Sequence, residues 1–163
     1  MKGVTLTLRV LHSGERHMVR QLTAVAERHR VEHEVHHVAL DLAGWSRTHV
    51  QRLADAAAHH GVDLDESAAT PLPHLLSMLV EKASEAAGRR PEPGLLLLRD
   101  VRELHLAAAE NSLHWEMLAQ TAQASRDGAL LDVVSACHPE TLRQMRWTNT
   151  MIKTLSAQIL TSL

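Results

Sequence analysis

Two long stretches of this chain, residues 15–43 and 95–125, carry apolar residues at alternating three- and four-residue steps. That spacing places them on one side of an α-helix and suits little else. In the first stretch Met18, Leu22, Val25, Val31, Val35, Val38 and Leu42 keep this period. Only Val4, Leu6, Leu8 and Val10 alternate as a strand would. A strand without a partner strand is unstable, so these residues read as the lead-in or first turns of the first helix. Composition points the same way. Hydrophobic residues make up 45% of the chain, yet Phe and Tyr are absent and Trp numbers 3. The core must therefore be Leu, Val, Ala and Met. Ala and Leu are strong helix formers, whereas aromatic residues favour strands.

Turn and cap signals divide the chain further. Gly44 is expected to end the first helix, and Ser46 to cap a second that runs to His60 and stops at Gly61. Thr70-Pro71 opens a shorter helix over residues 72–87, and GRRPEPG, residues 88–94, reads as a linker. The second long helix covers 95–125, and Asp127-Gly128 is a turn followed by a short helix to residue 136. His138-Pro139 then starts the last helix, which passes through Met145, Ile152 and Ile159. The expected plan is one all-α domain over 1–163, an antiparallel four-helix bundle with additional short helices. One hairpin covers 15–61, a linker and short helix cover 62–94, and a second hairpin covers 95–163.

Other features narrow the partners. A net charge of −2 gives no electrostatic reason to expect nucleic acid or an anionic membrane. No window approaches the ~20 apolar residues of a membrane span. The first residues, MKGVTLTLRVLHSGE, lack the uninterrupted apolar run of a signal peptide, so a cytoplasmic location is expected. The single Cys137 excludes an internal disulfide and a multi-cysteine zinc site, and it reads as an inert thiol. Trp45, Trp115 and Trp147 read as packing anchors. Apolar residues beyond the main stripes, Leu40, Leu98 and the run 72–79, predict a homodimer or larger closed assembly. No motif names a substrate or small-molecule ligand.

The unusual count is 13 histidines, because imidazole titrates near neutrality and binds metals. On a helical wheel Glu27 and Glu34 fall at the edge of the first stripe, with His37 completing Glu34-x-x-His37. His29, His33 and His36 fall on the opposite side. In the second stretch Glu103, Glu110 and His114 fall between two apolar rows, Leu106, Leu113 and Met117 on one side and Leu96, Ala107 and Leu118 on the other. The two regions also match each other, Glu27-x-His29-x4-Glu34 against Glu103-x-His105-x4-Glu110. Inward carboxylates need a cation or a proton. Arg30, Arg143, Arg146 or Lys153 could supply the cation, and so could a metal.

With those residues in view, the two hairpins resemble the ferritin-like superfamily of four-helix bundles, in which inward Glu residues and Glu-x-x-His motifs hold two metal ions. Glu34-x-x-His37 matches that motif, and Glu110-x-x-x-His114 is one residue longer. The resemblance implies a site for iron, manganese or zinc built from Glu27, Glu34, His37, Glu103, Glu110 and His114, since mixed oxygen and imidazole ligands disfavour calcium. The alternative is a metal-free helical module for interaction or oligomerisation, without catalytic activity.

Overall fold

The computed structural model describes residues 2–64, 88 and 92–163, and the expected short helix over 72–87 lies outside them. Among the described residues every regular element is helical: α1 (Lys2–Arg28), α2 (His33–His59), α3 (Pro93–Ser125) and α4 (Gly128–Leu160). Helix α1 packs against α2 and α3, and α4 packs against α3 and α2.

The helices end where capping chemistry allows. Glu92 caps α3 by accepting from the Leu95 backbone N–H at 2.8 Å, with Pro93 in the first turn, where a missing N–H costs nothing. Arg126 closes α3 in the left-handed conformation, φ 56°, and Asp127 caps α4 by accepting from Leu130 N–H at 3.0 Å.

Val4 and Leu8 are buried on the first turns of α1, so the alternating segment is helix, in keeping with its reading as the first turns of the first helix. Two boundaries differ from the sequence-based expectation. The first break comes at residues 29–32 instead of Gly44, which lies inside α2. The reason is register. Residues 18, 22 and 25 are buried along α1 and His29 follows them, but the same spacing continued further would bring Glu32 and His36 to core positions. Interrupting the helix resets the phase, so Val35, Ala39 and Leu42 are buried instead. The His36 ring donates from Nδ1 to the Ala26 carbonyl at 2.8 Å and helps satisfy the end of α1. Pro139 likewise falls inside α4, which runs unbroken from Gly128. Its ring is exposed, and packing on both sides of it offsets the lost backbone bond.

Each helix buries a stripe at three- and four-residue steps. It runs through Leu8, Leu11, Glu15 and Met18 on α1, and through Leu42, Ser46, His49 and Leu53 on α2. On α3 it passes Leu104, Ala108, Asn111 and Trp115, and on α4 Cys137, Thr141, Gln144 and Thr148. The apolar members form two clusters. One gathers Met18, Leu22, Val35, Leu42, Val101, Leu104 and Leu155, the other Leu8, Leu11, Leu53, Trp115, Leu118 and Leu130. The polar members lie between these clusters along every helix.

Helices α1 and α3 approach closely at Gly14, where an added Cβ would fall well inside contact distance of the buried Asn111 Oδ1. Ala is favoured over Gly in a helix by about 1 kcal/mol, but here the steric cost of about 1–3 kcal/mol outweighs it. Gly14→Ala is therefore expected to lower the urea midpoint in the wild type. In an Asn111→Ala background the same change should raise it, and identical effects in both backgrounds would contradict the close approach.

Candidate functional site

The midpoint of the bundle is polar. Glu15, Ser46, His49, Thr141 and Gln144 each show no exposed surface, and Asn111 shows 3%. Burying polar side chains like this is costly unless they bond to one another. Glu15, Ser46, His49 and Gln144 do so, while Thr141 Oγ1 and Asn111 Nδ2 have no hydrogen-bond partner among the described residues. His49 Nε2 donates to Glu140 Oε2 at 2.7 Å, and His49 Nδ1 stands 3.2 Å from Glu15 Oε1. The Trp115 indole donates to the same Glu15 oxygen at 3.0 Å, and its ring meets the His49 ring edge-on, centroids 5.8 Å apart. Gln144 Nε2 donates to Ser46 Oγ at 2.9 Å and to the Leu42 carbonyl at 3.2 Å. All four helices are thus joined within about one turn.

Burial by itself would push the His49 pKa down. The carboxylates of Glu15 and Glu140 outweigh it and hold the imidazole above its usual value of 6.5. Below that raised value the buried ring is a cation between two carboxylates, one sealed in the core and one partly open to water, since the Glu140 side chain keeps 29% of its exposure.

A second buried ion cluster closes the end of α1. Asp100 accepts from Arg28 Nη1 at 2.6 Å, His29 Nε2 at 2.8 Å and Arg99 Nη2 at 3.0 Å. Burial works against its charge, yet these donors hold its pKa below the usual 3.8. Cys137 sits in an apolar cluster, and burial pushes its thiol up to about 12, which leaves it protonated and unreactive.

Of the six residues expected to form the site, five are exposed and His114 is half-buried. Glu27 is exposed on α1 and pairs with Arg30 at 3.0 Å, one of the cations anticipated for it. Such an exposed pair contributes little. Glu34 and His37 are exposed on α2, where His37 lies against the rings of His33 and His36. Glu103 is exposed and paired with its neighbour Arg102, Glu110 is exposed, and His114 is half-buried. Among the described residues no group of three or more His, Cys, Asp or Glu is placed to hold a metal ion.

Two physical causes explain the difference. The break at 29–32 separates Glu27 from Glu34, so one wheel cannot contain both. Helix α3 has two apolar stripes, an inner one through Leu104, Ala108 and Trp115 and an outer one through Leu106, Leu113 and Met117, exposed by 47%, 62% and 56%. Averaging them centres the apparent buried face on Glu103 and Glu110, which actually lie exposed beside the outer stripe. Glu15 lies outside the expected ligand set, although continuing the spacing of Leu22 and Met18 backwards leads directly to it.

Neither family models, nor curated proteins, nor solved structures yield a match to this chain.

Folded His49 binds its proton more tightly than unfolded His49, so its contribution to stability is complete below pH 6.5 and is lost as pH rises through the elevated value. Cys137 adds a further loss only above its ordinary value of 9.0. Asp100, with its lowered pKa, contributes above 3.8 and loses that contribution as pH falls through the depressed value. Urea titrations between pH 6.5 and 8.5 should show stability declining with pH in the wild type and a flatter profile in His49→Gln. On the acid side, Asp100→Asn should flatten the loss below pH 4. Equal alkaline slopes in wild type and His49→Gln would contradict the assignment.

Proposed function

We propose that this chain is a ferritin-like bundle whose central position holds an internal cation in place of a metal centre, and that it works as a metal-free helical interaction module. Contact order supports the antiparallel arrangement. Gly14 meets Asn111 and Arg28 meets Asp100, while Ser46 meets Gln144 and His49 meets Glu140. In both helix pairs residue numbers rise along one member as they fall along the other.

The observation that carries the reading is the identity of the inward residues. A ferritin-like dimetal site takes one Glu from each of two helices and a Glu-x-x-His pair from each of the other two. The buried central residues here occupy that pattern as Glu15 on α1, Asn111 on α3, Ser46-x-x-His49 on α2 and Thr141-x-x-Gln144 on α4. Only Glu15 and His49 are of the family's ligand type. Two divalent ions need several carboxylates to neutralise them, and Glu15, engaged by Trp115 and His49, together with the partly exposed Glu140 bonded to His49, does not meet that need. The expected iron, manganese or zinc does not suit this donor set. The His49 imidazolium supplies the positive charge instead.

A metal-free module acts through its surface, and α3 offers an exposed apolar stripe for that purpose. Elemental analysis of the purified protein is expected to find well under one equivalent of iron, manganese or zinc per chain. Added Fe(II) or Mn(II) should leave the melting temperature unmoved. Near-stoichiometric metal, or a rise in melting temperature abolished by Glu15→Gln, would overturn the reading. The combined changes Ser46→Glu, Asn111→Glu, Thr141→Glu and Gln144→His restore the family's ligand set and should create Co(II) binding detectable by visible absorption. A folded variant that binds none would contradict the assignment of these positions.

A further inference from the structure

Helices α1 and α4 cover the inner side of α3 and leave its outer side uncovered among the described residues. Along that side Leu95, Leu106, Leu113 and Met117 are exposed by 39%, 47%, 62% and 56%. Leu95, Arg102, Leu106, Ala109, Leu113 and Glu116 follow three- and four-residue steps or their sum, so the outer stripe has the repeat of a helix-packing seam. The small Ala109 stands at its middle, where a second helix could approach closely.

Charge along the seam is polarised. Arg102 precedes Ala109 by seven residues and Glu116 follows it by seven. Both are exposed, with side-chain exposures of 64% and 59%, Arg102 beside its neighbour Glu103 and Glu116 within 3.9 Å of the His138 ring. Two copies of the helix laid side by side in the same direction would oppose Arg to Arg and Glu to Glu. Laid in opposite directions about Ala109, each Arg102 faces a Glu116 and each Leu106 lies near a Leu113. The stripe is complementary to itself under a twofold rotation, which is the requirement for a closed dimer.

We infer that this outer face of α3 binds a second copy of the same chain, with the two α3 helices antiparallel across a twofold axis near Ala109. The inference rests on the reading of the chain as an interaction module and names its partner. Leu106, Leu113 and Met117 form the desolvated centre, and the Arg102–Glu116 pairs at the rim fix direction and register.

Light scattering on the full chain at tens of micromolar tests this, with readouts independent of metal content. The wild type should return twice the chain mass of 18.1 kDa. Leu113→Glu should weaken association by on the order of 100-fold, as for a charge placed at an interface anchor, while circular dichroism stays unchanged. Arg102→Glu and Glu116→Arg should each weaken the dimer, and the double exchange should restore it. A wild type of single-chain mass overturns the inference. So does a dimer indifferent to Leu113→Glu, or a charge exchange that does not restore association.

Discussion

His49 is shut into the middle of a helical bundle with Glu15 on one side and Glu140 on the other, and both raise its pKa. Its position organises what lies around it. Removing one member of such a buried pair leaves an uncompensated charge and typically costs about 3–5 kcal/mol. Intact, the set adds less stability than it adds specificity, because taking charges out of water consumes much of their attraction. What it does is fix which helices meet and at what height. Glu15 comes from α1, His49 from α2 and Glu140 from α4, and Trp115 of α3 donates to Glu15. Any slip of one helix by a turn would strand a charge in an apolar cluster. Aliphatic clusters on both sides of the polar layer would by themselves tolerate such slips, since Leu, Val, Ala and Met stripes repeat along every helix.

The helical class was open to reading because three- and four-residue spacing survives every local irregularity. Helix ends were harder. Gly44 and Pro139 look like stops by propensity, yet tertiary packing carries α2 and α4 through them. The break at 29–32 contains neither Gly nor Pro, and only the clash between Glu32, His36 and a continued apolar stripe marks it. The central polar layer was legible in principle. Glu15 continues the spacing of Met18 and Leu22, but a carboxylate there looks like an interruption when apolar residues alone are counted. Glu140 could not be found by periodicity at all, since it lies beside the stripe and only its bond to His49 gives it a role.

Helix α3 explains why Glu103 and Glu110 look inward on a wheel, and it also carries an exposed apolar stripe. Its inner stripe, through Leu104, Ala108 and Trp115, is packed against the bundle, while its outer stripe, through Leu106 and Leu113, is exposed. A helix that is apolar on two opposite sides has either two packing partners or a poorly solvated surface. The flanking charges keep that surface in water and set its direction. Glu103 and Glu110 belong to this outer region, which is why their carboxylates need no internal cation.

The central claim is that His49 carries its proton inside the folded bundle because Glu15 and Glu140 hold it there. Nitrogen-15 NMR of the histidine rings reads this directly, since imidazolium and neutral imidazole give different shift patterns at the two ring nitrogens. The His49 signals, assigned by comparison with His49→Gln, should keep the imidazolium pattern as pH rises past 6.5, the ordinary value, and give way only at higher pH. A neutral-imidazole pattern with a midpoint at or below 6.5 would contradict it.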